Sequence, residues 1–135
     1  MIKKITQILF TLAIVLLLVS CKNTKQKLQE YVATYNSTAA TFKGEHVTLT
    51  TARGYINDNK VELRFETNLP ENDSNKAAAS ISFPKLLKDM INKNQIPKEL
   101  IKEGVQFDVY FLANDNTVLN KEVLNNEILD ILLKE

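Results

Sequence analysis

A chain of 135 residues, 44% hydrophobic, with 17 basic and 16 acidic side chains and a formal net charge of +1, is the size of one small domain. That balance supplies no concentrated basic face for nucleic acid. A single cysteine excludes an internal disulfide and any zinc site built on several thiolates, and the three scattered glycines, Gly44, Gly54 and Gly104, form no phosphate cradle.

The first element is an apolar run behind two positive charges, Lys3 and Lys4. From Ile8 to Val19 the only polar side chain is Thr11, so the run holds twelve residues. As a helix it spans about 18 Å, well short of the roughly 30 Å hydrocarbon core of a bilayer. A basic start, a short apolar core and a small residue are the layout of a secretory signal peptide. The small residue is Ser20, and the only cysteine, Cys21, follows it. Leu18-Val19-Ser20-Cys21 resembles the lipobox of bacterial lipoproteins. That resemblance implies cleavage between Ser20 and Cys21, a diacylglycerol on the Cys21 sulfur, and acylation of the new amino group by a palmitate-class chain. Two acyl chains give a lasting membrane anchor where one gives a marginal one. The expected organisation is a signal peptide over 1–20, a lipidated cysteine with a short tether over 21–27, and one domain over 28–135. The residue after the thiol is Lys22 rather than aspartate. By the sorting rule of enteric bacteria this favours the outer membrane where there are two membranes. Once Lys3 and Lys4 are removed with the leader, fifteen basic residues face sixteen acidic ones. The tether lysines Lys22, Lys25 and Lys27 are each worth up to about 1 kcal/mol on an anionic surface.

Leu28, Tyr31, Val32, Tyr35, Ala39 and Phe42 recur at three- and four-residue steps and predict a helix stopped by Lys43-Gly44. From His46 the period becomes two, with Val47 and Leu49 facing one way and a bulge expected near Ala52 to Gly54. Asn57-Asp58-Asn59 is turn chemistry. Beyond it Val61, Leu63, Phe65 and Thr67 alternate with Lys60, Glu62, Arg64 and Glu66, a strand with one buried and one wet face. After a polar loop over 69–75 a helical region follows, least defined over 76–81, in which Phe83, Leu86, Leu87, Met90 and Ile91 form a stripe. Pro84 fits its first turn if Ser82 is the cap. Residues 97–103 predict a helical turn ended by Gly104. A second hairpin follows, with Val105, Phe107, Val109, Phe111 and Ala113 inward and Gln106, Asp108 and Tyr110 outward. Asn114-Asp115-Asn116 turns it, and Asn125 caps a last helix bearing Ile128, Leu129, Ile131 and Leu132. The predicted fold is α+β: a four-stranded antiparallel sheet from two β-hairpins, helices on one face, in the order α-β-β-α-α-β-β-α. The mature part resembles small exported bacterial domains of this plan, and that resemblance carries no functional residue across.

The search for chemistry finds little. His46, the only histidine, has neighbouring hydroxyls but no nucleophile-elbow sequence, and reads as a surface or capping residue. Glu62 and Glu66 on one strand lie roughly 13 Å apart, beyond the roughly 5 to 9.5 Å of glycosidase carboxylate pairs. The alternating charges of 60–66 are more simply a solvated face or edge. Asp73-Ser74-Asn75 starts a calcium-loop pattern but meets no glycine. No cofactor or metal is implied. What stands out is the outer face of the sheet, where Glu62, Arg64, Asp108 and Tyr110, with Tyr55 nearby, give the mixture of arginine, tyrosine and acids that protein interfaces use. The sequence therefore describes a non-enzymatic, lipid-anchored binding module of the envelope, its partners a membrane through Cys21 and an envelope protein. Its rival is a carrier holding a small apolar ligand between sheet and helices, near Phe83, Phe107 and Phe111.

Overall fold

In the computed structural model, which describes residues 23–39, 42 and 44–134, the two-residue periods build a four-stranded sheet. The signal-like run and the Ser20–Cys21 junction lie outside the described residues. The elements are α1 (Thr24–Thr38), β1 (Val47–Tyr55), β2 (Lys60–Thr67), α2 (Asp73–Asn92), α3 (Lys98–Lys102), β3 (Gln106–Leu112), β4 (Val118–Leu124) and α4 (Asn126–Lys134). Their order is the predicted one.

The sheet is mixed rather than antiparallel. Strands lie in the order β1-β2-β3-β4, with both hairpins antiparallel and the central pair, β2 and β3, parallel. The reason is the connection. A tight turn reverses the chain, whereas α2 and α3 carry it back to the end where β2 began, and a strand entered from that end runs parallel to its neighbour.

The inner face follows the alternation. Val61, Leu63 and Phe65 of β2 and Phe107 and Val109 of β3 are fully buried. They meet Leu28 of α1, Phe83 and Leu87 of α2 and Leu129 of α4 in one core. Each such side chain gains about 1.5–3 kcal/mol by leaving water. Phe83 sits between Phe65 and Phe111, with ring centres 5.7 and 5.0 Å away.

β1 departs from its predicted facing. Its pairing slips between Val47 and Leu49, and such a bulge moves later side chains to the opposite face. Thr50 and Ala52 are therefore buried, while Leu49 is 45% exposed. Thr50 tolerates burial because its hydroxyl shares a 2.6 Å hydrogen bond with that of Tyr35. Pairing is regular through Ala52 to Gly54, where the bulge was expected. Gly54 serves close packing instead: a β-carbon there would stand 3.0 Å from Leu28 Cδ2.

Helix ends also differ from expectation. α1 starts at Thr24, because Asn23 accepts from Gln26 N at 2.9 Å while Gln26 Oε1 accepts from Asn23 N at 3.2 Å. Residues 24–27 are thus its first turn rather than tether. Its far end is Thr38, and Phe42 lies beyond it, packed 5.5 Å from Phe65. α2 starts at Asp73, capped by Asn72, whose Oδ1 accepts from Asn75 N at 2.7 Å. Ser82 is no cap and Pro84 lies inside the helix. Good helix formers at Ala77 to Ala79 carry the helix through. The bond forfeited at Pro84 leaves the carbonyl of exposed Ser80 open to water. α3 ends before Gly104, at φ 101°, and Asn125 caps α4 by accepting from Ile128 N at 3.0 Å, both as predicted.

Asn36 of α1 does what no neighbouring strand does for β1. Its Nδ2 donates to the Ala52 carbonyl at 2.9 Å, and its Oδ1 accepts from Ala52 N at 2.8 Å. In an antiparallel ladder both groups of one residue point to the same side, so the amide fastens the free edge of β1 to α1. Asn36→Ala is expected to lower stability by about 1–3 kcal/mol, measured as a reduced urea midpoint at unchanged slope. A midpoint equal to that of the parent would show that water replaces the clamp without cost.

Candidate functional site

The outer face of the sheet is laid out by register. Side chains two apart on a strand share a face, and the described helices pack on the other one. In successive rows across β1 to β4 stand Leu49, Glu66, Leu112 and Val118; then Thr51, Arg64, Tyr110 and Lys121; then Arg53, Glu62, Asp108 and Val123. The four predicted site residues are thereby brought together in two adjacent pairs, Glu62 beside Asp108 and Arg64 beside Tyr110. β2 is an inner strand, so its alternating charges mark a wet face and not an edge.

These charges are mutually satisfied. Asp108, only 6% exposed, accepts from Gln106 Nε2 at 2.8 Å and lies 3.5 Å from Lys60 Nζ. Glu62 accepts from the Tyr55 hydroxyl at 3.4 Å and lies 3.7 Å from Arg64 Nη1. Lys60 and Lys121 sit 4.8 and 5.2 Å above the rings of Tyr55 and Tyr110. The Tyr110 hydroxyl beside Lys121 holds that ammonium above the ordinary 10.5. Such a surface is a prearranged polar lattice with two aromatic rings. Each of the two adjacent carboxylates therefore has a cationic partner, Lys60 for Asp108 and Arg64 for Glu62.

Sequence reasoning missed part of this face. Lys60 and Lys121 act through partners on other strands, which composition does not reveal. The apolar members of the first row, Leu49, Leu112 and Val118, which flank Glu66, were hidden by the bulge at Leu49 and by the continuous run Tyr110-Phe111-Leu112-Ala113, where both faces of the strand are apolar. Leu112 is buried, while Leu49 and Val118 are each 45% exposed.

His46 stands apart at φ 65°, exposed, with Nε2 3.6 Å from the carboxylate of Glu45. Its carbonyl accepts from Asn68 N at 3.1 Å, a structural bond at the sheet end. Among the described residues no cluster of three histidine, cysteine, aspartate or glutamate side chains could hold a metal ion. No described helix is long and apolar enough to cross a membrane.

Among the hollows that flank the described helices, two bear on the carrier reading. One of about 330 Å³ separates α1 from the end of α2. Its walls are two stripes at helical spacing, Tyr31, Thr34, Tyr35 and Thr38 facing Leu86, Asp89, Met90 and Lys93. Asp89 and Lys93 pair at 2.9 Å, leaving the walls without net charge. The other, about 390 Å³, has Phe83 and Phe111 on its floor and His46 at its rim. Phe107 belongs to neither; its ring packs 5.5 Å from that of Tyr31. The three phenylalanines named in the carrier reading therefore do not line one chamber.

Comparison with solved structures finds a likeness to the type II secretion system pilotin AspS from Vibrio cholerae, at 14% identity and a TM-score of 0.38, covering 76% of this chain and 94% of that one. Similarity at that level transfers no residue role. No family model matches the sequence, and no curated protein matches it.

Burial pushes the hydroxyls of Tyr31 and Tyr35 above the ordinary tyrosine value of 10.0. Unfolding lets both ionise near that value. Their contribution to stability is therefore complete below pH 10.0 and falls as the pH rises above it. Alkaline titration at the tyrosinate absorbance is expected to show these two groups ionising only as the fold is lost. Four ionisations completed before unfolding would contradict the packing of these two half-buried rings against the core.

Proposed function

We propose that the protein is a bacterial lipoprotein, cut before Cys21 and held at the envelope by acyl chains on that residue. Its domain works by binding an envelope protein rather than by catalysis. The anchor rests on Leu18-Val19-Ser20-Cys21 behind a short basic-apolar leader. Lys22 favours the outer membrane where two membranes exist. The observation that supports the binding role is the outer face, opposite the described helices, where Glu62, Arg64, Asp108 and Tyr110 stand in neighbouring rows. Arginine and tyrosine dominate the energetics of known interfaces, and charges already paired within a surface are less costly to dehydrate than isolated ones.

Two measurements test the two halves. Cys21→Ser is expected to abolish lipidation and release the product from membranes; a fraction still membrane-bound at parental levels would remove the anchor. Crosslinking of envelope material followed by pull-down is expected to recover a defined partner. Arg64→Ala or Tyr110→Ala should weaken its affinity about tenfold, as loss of an anchor worth ~1.4 kcal/mol requires. Unchanged affinity in both variants would clear the face of this role.

A second reading, a carrier of a small apolar ligand, is supported by the hollow floored by Phe83 and Phe111. Delipidated protein would then retain oleate, and Ser82→Trp, which places an indole at the mouth of that hollow, would abolish retention. Absence of retention by the parent protein rejects the carrier.

A further inference from the structure

The chain leaves little slack between the proposed lipid and the fold. Asn23 is the cap of α1 and Cys21 is two residues upstream. At about 3.3–3.6 Å per residue, their α-carbons are no more than ~7 Å apart in any arrangement. Nothing downstream of the cap can pay out further chain. The capping box closes the first turn, and Lys27 Nζ ties that turn to α3 through Glu99 at 3.1 Å and Glu103 at 2.8 Å.

The packing of α1 fixes which end of the domain lies there. Leu28 meets Gly54 near the end of β1, and Tyr31 meets Phe107 near the start of β3. The turn at Ile56–Asp58, Lys60 and Gln106 therefore share an end with the start of α1 and with α3. Seven- to nine-residue strands carry the sheet roughly 20–30 Å to its other end. That far end holds His46, Asn114 and the row of Leu49, Leu112 and Val118.

We propose that the end of the domain formed by the start of α1, α3 and the Ile56–Asp58 turn rests on the lipid head groups, with the strands rising from the membrane. This rests on the lipoprotein reading and adds the orientation that reading lacks. The occupant is the head-group layer itself, because a span of two residues cannot hold this end at a distance from a lipid on Cys21. Charge at this end is mixed. Lys25 and Lys102 are exposed beside exposed Asp58 and Glu99, and Lys27 offsets part of the charge of Glu99 and Glu103. The tether length and not the charge therefore sets the contact. The outer face of the sheet then stands as a wall beside the membrane. Lys60 and Asp108 lie toward its base, and the row of Leu49, Glu66, Leu112 and Val118 lies at its top.

The test uses the full-length protein, processed in cells and reconstituted into vesicles of phosphatidylcholine and phosphatidylglycerol bearing a head-group-attached quencher. Asn57→Cys and Asn114→Cys are labelled separately with one fluorophore, and mass spectrometry reports the lipid on Cys21. The Asn57→Cys label is expected to lose most of its emission while the Asn114→Cys label keeps its own. Inserting about ten Gly/Ser residues before Asn23 should erase the difference. Equal quenching at both sites with Cys21 lipidated overturns the orientation alone. A bare Cys21 overturns the lipoprotein reading, and the orientation falls with it.

Discussion

The parallel pairing of β2 with β3 is the constraint from which the rest of the structure follows. It exists because α2 and α3 intervene between the strands and return the chain to its starting end. It also places two strands, buried on their inner sides, at the centre of the sheet, where helices on one face can cover them. The same register decides the polar face. Reversing the pairing would leave each side chain on its own face but give it different neighbours. Glu62 would no longer stand beside Asp108, nor Arg64 beside Tyr110.

Much of this was legible in the order of residues, and what was hidden has identifiable causes. Val61, Leu63 and Phe65, and likewise Phe107 and Val109, declare a buried face by strict alternation, and the structure buries all five. β1 was misjudged because one unpaired residue inverts a two-residue period without altering composition. The cap of α2 was hidden because Ser82 and Pro84 together resemble a helix beginning, whereas the cap is Asn72, twelve residues before the proline. Strand direction was invisible, since a hairpin reads the same whichever way it is set against another. The four residues of the polar face were found by facing alone. Their ion-pair and aromatic partners, Lys60 and Lys121 among them, come from strand neighbours that only the fold specifies.

Lys27 shows how a residue can change meaning between sequence and structure. In the sequence it belongs to a run of lysines following an apolar stretch, where general electrostatics would match it to an anionic surface. In the fold it bridges α1 and α3 across 72 and 76 positions of chain. The two carboxylates, Glu103 foremost, hold its ammonium above the ordinary 10.5. It still bears on the charge of that end, because its single positive charge offsets one of the two negative charges of Glu99 and Glu103.

Asn36 has a consequence beyond the bonds it makes. An unsealed strand is a template for pairing with a further copy of the chain. The Asn36 amide occupies the groups of Ala52 that an incoming strand would use. One side chain of α1 thus interrupts that template partway along β1, between Val47 and Tyr55.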